Sequence, residues 1–210
     1  MKILNLYAGI GGNRKLWGDE HEITAVENNE KIAQIYQDFF PGDKMVIEDA
    51  HKYLLDNFEK FDFIWSSPPC PTHSRPAYAG TYSKKGHFLY RPPYPDMKLY
   101  QEILLLQGFF RGKYVVENVI AWYDPLIKPR KVGDHYYWTN FNITQVEVEG
   151  RKHDGSIEEL QIRKGFDLSK YSNIDKRVIL RNCVEPEVGL HILNQALNIK
   201  QAVTNQEVLF

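Results

Sequence analysis

The run Lys2-Ile3-Leu4-Asn5-Leu6-Tyr7-Ala8-Gly9-Ile10-Gly11-Gly12 sets a short apolar strand directly before a glycine-rich turn. Residues 2–7 have the near-continuous apolar character of a strand buried on both faces. Glycines at positions 9, 11 and 12 let the chain turn tightly and let another group approach its backbone. A short helical stretch is predicted at residues 14–17, then a second strand at 22–26 ending at Glu27. Residues 29–40 place Ile32, Ala33, Ile35, Tyr36 and Phe39 at helical spacing, stopped by Pro41-Gly42. Strands follow at 44–47, closed by Glu48-Asp49, and at 61–65, before Ser66-Ser67-Pro68-Pro69-Cys70. A long helix at 96–110 carries Leu99, Ile103, Leu106 and Phe110, and a strand at 113–116 runs into Glu117-Asn118. Such alternation predicts an α/β fold, a mostly parallel sheet with helices on both faces.

Past residue 119 the pattern loosens. Residues 135–141 and 142–149 alternate like an antiparallel pair, 158–163 reads as another short strand, and 169–175 reads as loop. An amphipathic helix is expected over 185–197, with Val188, Ile192, Leu193 and Leu197 as its apolar stripe. Its 210 residues fit one large domain or a domain with a small insertion, and 43% hydrophobic content supplies a core. Two cysteines are too few for a disulfide framework, no run of about 18 apolar residues is present, and a cytoplasmic protein without membrane contact is expected. No set of residues with metal-ligand spacing is read.

A formal net charge of −1 excludes a globally basic nucleic-acid binder, so any such contact must be local. The most suggestive basic cluster is Lys84, Lys85, His87 and Arg91, interleaved with Tyr78, Tyr82, Phe88, Tyr90 and Tyr94. Cations mixed with aromatic rings suit phosphates and unstacked bases, although each cluster read singly is equally a solvated surface.

Glu27, Asp49, Cys70 and Glu117 each fall at a strand end, which gathers them along the carboxyl edge of one sheet, where α/β folds keep their chemistry. Glu27 stands where such folds hydrogen-bond a ribose hydroxyl, and Asp49 is placed to accept from an adenine amine. The turn at 7–12 does not fit the dinucleotide G-x-G-x-x-G pattern. Together these groups read as an adenosine site without a phosphate cradle, which suits S-adenosylmethionine. Cys70 follows two prolines that stiffen its loop; alone it reads either as a small apolar residue or as a nucleophile.

The ordered motifs resemble those of the cytosine-C5 DNA methyltransferases. The first is matched by Leu6-Tyr7-Ala8-Gly9-Ile10-Gly11-Gly12, the second and third by Val26-Glu27-Asn28 and Glu48-Asp49-Ala50. The nucleophile motif is Pro68-Pro69-Cys70 with Ser74 following, the next acid motif Glu117-Asn118-Val119, and the late motif resembles Arg181-Asn182-Cys183-Val184-Glu185-Pro186. A weaker match is Asp96 with Leu99. The resemblance implies a methyltransferase (Rossmann-like) fold and transfer of a methyl group from S-adenosylmethionine, leaving S-adenosylhomocysteine, to C5 of a cytosine flipped from DNA. It implies catalysis by Cys70 and Glu117, and a cofactor site drawn from Tyr7, Ala8, Gly9, Gly11, Gly12, Glu27, Asn28, Asp49, Ala50, Pro68, Leu99, Asn182 and Val184. Residues 75–94 fall where that family has a loop that closes over DNA.

The chain departs from the family in three places. Pro71 follows Cys70 where the family carries a gap-filling Gln, leaving Thr72, His73 or the loop beyond to compensate. The family's Gln-x-Arg-x-Arg motif is not found; Arg130, with His135 as the other candidate, stands in for its arginine. Only 64 residues lie between Glu117 and Asn182, little room for a reader of base edges. The expected division is a catalytic and cofactor domain at 1–141, a reduced target-recognition or small β-rich insertion at 142–175, a return to the catalytic domain at 176–199, and a tail at 200–210. Small phage-type and mobile-element enzymes resemble this layout, which also admits RNA or single-stranded DNA as substrate, or a catalytically silent S-adenosylmethionine-binding protein associated with DNA. In the tail, Gln206, Leu209 and Phe210 resemble the peptide by which bacterial proteins dock on the replication sliding clamp. Neither oligomeric state nor a partner nuclease is legible.

Overall fold

The computed structural model describes residues 1–79, 87–88, 91–146 and 155–199. The clamp-like Gln206, Leu209 and Phe210 and most of the basic, aromatic stretch at 80–90 lie outside the described residues.

Among the described residues one sheet has seven strands in the order β3-β2-β1-β4-β5-β7-β6. They are β1 (Lys2–Leu6), β2 (Glu22–Val26), β3 (Lys44–Val46), β4 (Phe63–Ser66), β5 (Lys113–Val119), β6 (Arg130–Val132) and β7 (His135–Thr139). β1 pairs in parallel with β2 and β4, β2 with β3, and β4 with β5. β7 runs antiparallel to both β5 and β6. The strand order reverses between β1 and β4, so their carboxyl ends open the crevice where such sheets bind ligands. This mixed, mostly parallel arrangement is the Rossmann-like methyltransferase fold.

Side-chain alternation decides what covers each face. Leu4, Leu6, Ile64, Val116 and Trp138 pack under α2 (Ala50–Asn57) and α4 (Lys98–Phe109), through Leu54, Leu99, Ile103 and Leu106. Ile3, Phe63, Trp65, Val115 and Tyr137 meet Trp17 and α7 (Pro186–Ala196), through Val188, Ile192 and Leu193. A third cluster joins Ile35, Tyr36 and Phe40, of α1 (Glu30–Phe39) and its end, to Leu160 of α5 (Ile157–Lys164) and Leu180 of α6 (Lys176–Asn182).

Several expectations are corrected. Residues 158–163 are helix: Ser156 and Glu159 form a reciprocal capping box, and Gly165 ends α5 at φ +68°. Buried Leu160 and Lys164 follow a helical spacing that a short alternating window conceals. Among the described residues of 142–175 there is no strand, and residues 147–154 of the expected β-rich insertion lie outside the described residues. β7 forms its hairpin with β6, through Gly133 at φ +56°, and pairs on its other side with β5. Residues 142–146 attach by side chains instead, Gln145 donating to the Lys131 carbonyl (2.7 Å) and Thr144 meeting His191 (3.2 Å). Residues 14–17 form turns and no helix. β5 continues through Val119, so Glu117 and Asn118 lie within the strand end. The short helix α3 (Arg75–Ala79), like α2 and α6, was not legible in the periodicity.

Candidate active site

The glycine-rich turn starts with Tyr7 in the left-handed region at φ +54°, followed by Gly9 at +55° and Gly11 at +86°. Each glycine has its own reason. A Cβ on Gly11 would lie 2.4 Å from the Phe40 ring, and one on Gly12 would lie 2.3 Å from Cys183 Sγ and 2.4 Å from the Val184 carbonyl oxygen. These two glycines admit α1 and the late segment. A Cβ on Gly9 would meet nothing within 4 Å, so the open side of the turn is there.

Glu27 spans the next two connections. Its Oε2 accepts from the Gly9 N–H (3.1 Å) and its Oε1 from the Asn29 N–H (3.0 Å). Each oxygen retains a lone pair, enough to accept from a ribose. Asn28 is exposed beside it. Asp49 caps α2 by accepting from the Lys52 N–H (2.8 Å), and that bond, followed by the charge of Lys98, holds its carboxyl below the usual carboxylate range. Two residues before Asp49, Ile47 is 55% exposed just past the edge strand β3, an apolar surface suited to a base. An open turn, an acceptor for hydroxyls and an acceptor beside apolar surface fit the adenosine of S-adenosylmethionine. Ala8, Ala50 and Leu99 are buried around this edge, Leu99 within the core under α4. Val184 packs on Gly12, whereas Asn182 ends α6 on the surface. The late segment is held by Lys164, whose Nζ donates to the Cys183 carbonyl and pairs with Glu185 (2.9 Å).

Cys70 begins a turn: its carbonyl accepts from the N–H groups of His73 (2.9 Å) and Ser74 (3.0 Å). Its loop is tied from several directions. Asn118 Nδ2 donates to the buried Pro68 carbonyl (2.9 Å), Trp122 Nε1 donates to the Thr72 carbonyl (3.1 Å), and the Asp96 N–H donates to Thr72 Oγ1 (2.9 Å). His73 is 1% exposed, with Nδ1 2.5 Å from the Tyr123 hydroxyl, and burial lowers its pKa. Tyr78 stacks on Trp122 with ring centroids 4.9 Å apart. Thr72 and His73, the candidate gap-fillers, are therefore bonded within the protein. Burial, and second the negative charge of Glu117, raise the pKa of the Cys70 thiol.

Glu117 is buried, and its Oε1 lies 3.4 Å from His135 Nε2. Arg130 occupies the same lateral row, opposite Tyr137, which itself lies opposite Glu117. Two strand spacings of about 4.8 Å separate Arg130 from Glu117, and its guanidinium donates to Asn142 (2.7 Å). Of the two basic candidates, His135 is the one brought against Glu117.

Sequence reasoning missed two groups. Asn118 was quoted within a motif, without its role as the clamp on Pro68. Glu102 was not singled out, although it interrupts the apolar face of α4 beside Leu99 and Ile103. An acid there must be paired, and that was the available signal. Its partners are Tyr7, His51 and Ser66.

Among solved structures, a hypothetical protein from Thermus thermophilus is 19% identical, with 66% of this chain and 73% of that one covered at a TM-score of 0.44. A mutant of Spodoptera frugiperda DNMT2 is 27% identical over 56% of this chain and 35% of its own, at a TM-score of 0.38. A putative prophage-encoded DNA modification methyltransferase from Escherichia coli is 18% identical over 59% and 33%, at 0.39. At these scores the fold rests on the strand order itself. No curated protein matches. Residues 1–89, from the first strand past the cysteine loop, match the family of C-5 cytosine-specific DNA methylases, so the resemblance read from the motifs holds over that segment and brings S-adenosylmethionine with it as cofactor.

Proposed function

We propose that this chain transfers a methyl group from S-adenosylmethionine to C5 of a cytosine flipped out of DNA, through a covalent bond between Cys70 and C6. The observation that carries this reading is the junction of β4 and β5: Asn118 fixes the loop of the nucleophile while Glu117, one residue earlier, is the buried acid facing the same edge. Cytosine C5 is a poor nucleophile until a thiolate adds at C6. Cys70 supplies that thiolate, and once C5 carries the methyl group, loss of the C5 proton to a base and expulsion of the Cys70 thiolate from C6 restore the aromatic ring. Glu117 holds N3 and the exocyclic amine as charge develops on the ring. S-adenosylmethionine, when bound, supplies an electrophilic methyl group on a sulfonium; Glu27 is read as holding its ribose and Asp49 its adenine amine, with Tyr7, Ala8, Gly9, Gly11, Gly12, Asn28, Ala50, Pro68, Leu99, Asn182 and Val184 around them. Flipping is required because the reacting atoms are closed off inside a stacked duplex.

For the third catalytic role, contact with Glu117 favours His135 over Arg130. RNA or single-stranded DNA is a second reading, favoured by what residues 155–175 do. Leu160, Phe166 and Leu168 pack into the core against α1, so this segment is tied to the body of the sheet and is not a separate reading module. Sliding-clamp docking through Gln206, Leu209 and Phe210 rests on sequence alone; deletion of residues 206–210 should abolish clamp binding.

DNA containing 5-fluorocytosine tests the central claim, since fluorine cannot leave C5 as a proton does and the enzyme stays attached. With S-adenosylmethionine the wild-type protein should form an adduct. Cys70→Ala should form none, and Cys183→Ala should retain it. Absence of an adduct on duplex, single-stranded and RNA substrates would leave only the silent cofactor-binding reading. Bisulfite sequencing of DNA from expressing cells reports both activity and sequence context.

A further inference from the structure

Glu102 is fully buried at 0% exposure on the core face of α4. Its Oε1 accepts from the Tyr7 hydroxyl (2.6 Å) and meets His51 Nδ1 (3.0 Å), while its Oε2 accepts from the Ser66 hydroxyl (2.6 Å). These partners come from three segments. Tyr7 opens the glycine-rich turn, His51 sits in the first turn of the helix capped by Asp49, and Ser66 ends β4 four residues before Cys70. One oxygen thus serves the cofactor side and the other the nucleophile side.

No step of the proposed chemistry uses this carboxylate, and keeping it buried costs several kcal/mol of desolvation unless every lone pair is employed. A leucine would continue the apolar face at no such cost. Tyr7 gives the retained acid a purpose. It holds a left-handed backbone that a non-glycine residue adopts at a cost of about 1–2 kcal/mol, and its hydroxyl is anchored by Glu102. Facing a carboxylate, His51 Nδ1 carries the proton, which fixes its ring orientation.

We propose that Glu102 is a positioning residue that locks the cofactor turn, the helix behind Asp49 and the nucleophile loop into one register. The proposal rests on the methyl-transfer reading above.

The test uses the full chain, S-adenosylhomocysteine as calorimetric probe, and duplex DNA substituted with 5-fluorocytosine at saturating S-adenosylmethionine. Glu102→Gln keeps the shape but turns one acceptor oxygen into a donor. It should weaken S-adenosylhomocysteine binding and slow adduct formation, each about tenfold, the effect of losing one charge-assisted hydrogen bond. Ser66→Ala removes only the nucleophile-side partner. It should slow the adduct by about three- to tenfold while leaving the affinity within about twofold of wild type. A purely structural carboxylate would lower the melting temperature of Glu102→Gln and move neither the affinity nor the rate of the folded fraction; that result overturns the proposal. Where Glu102→Gln does not fold, an unchanged adduct rate in Ser66→Ala overturns it alone. Wild-type protein that neither binds S-adenosylhomocysteine nor forms an adduct refutes the methyl-transfer reading, and this inference with it.

Discussion

The two loops that carry the site are fixed in opposite ways. The glycine-rich turn is held mainly by its own half of the chain: Asn13 donates to Asn5 (2.8 Å), and Arg14 forms a forked pair with Asp43 (2.9 and 3.1 Å) that Tyr36 joins at 2.7 Å. The cysteine loop is held mainly by residues far downstream, Asp96, Asn118, Trp122 and Tyr123. The hydrogen bonds of the first loop therefore come mainly from the early sheet and α1, and those of the second from just before α4, from β5 and from the segment after it. Changes around the turn should act on stability and cofactor affinity. Changes around the cysteine loop should act on rate.

Arg14→Ala carries the largest expected effect. It strands Asp43, whose side chain is 5% exposed, as an uncompensated buried charge. Losing one partner of such a pair costs about 3–5 kcal/mol, which for a chain of this size lowers the melting temperature by about 10 °C. Calorimetric unfolding measures it, and a shift of only a degree or two would show that the turn is held by something else. Gly12→Ala comes next. Its new methyl group would meet Cys183 and Val184, and overpacking of this kind costs about 1–3 kcal/mol. Displacing the late segment should also weaken S-adenosylhomocysteine binding more than Gly9→Ala does, because Gly9 has open space and only its left-handed backbone to strain.

Asn118→Ala probes the other loop. It leaves the buried Pro68 carbonyl and the Val119 N–H without their partner, at a cost of about 1–3 kcal/mol. Adduct formation should slow while cofactor affinity stays within about twofold. Equal losses in both would erase the distinction between the loops.

This division also explains what the sequence could tell. The first half was legible because β1, β2 and β4 are buried on both faces and α1 has a clean stripe, so local pattern and global position agree. The strand-end acids could be placed for the same reason. Residues 158–163 misled because six positions cannot separate a period of 2 from 3.6 when Ile162, at 82% exposure, points to solvent. The decision lay in the flanking Ser156, Glu159 and Gly165. Glu102 and Asn118 escaped because their partners lie 36 to 95 and 50 residues away, respectively. No local window contains those pairs.

The smallest predicted effect is the most discriminating. Burial first, and the Glu117 charge second, hold the Cys70 thiol above the ordinary thiol range. Glu117→Gln removes the second cause and leaves the first. The thiol pKa should fall, the thiolate fraction at about pH 8 should rise, and alkylation of Cys70 by iodoacetamide should quicken, with its pH–rate midpoint moved to lower pH. Cys183 is the internal control, because burial pushes its thiol up to about 12 and keeps it silent under these conditions. Adduct formation with 5-fluorocytosine DNA should move the other way, because an amide cannot take up a proton as the cytosine enters and share it with N3, as a carboxylate can. A thiol that becomes more reactive in an enzyme that becomes slower separates the electrostatic influence of Glu117 on Cys70 from its work on the base. Alkylation that does not change would mean that its charge does not reach the sulfur. Adduct formation that quickens along with alkylation would mean that Glu117 has no part in holding the cytosine, and that β5 contributes only the Asn118 clamp.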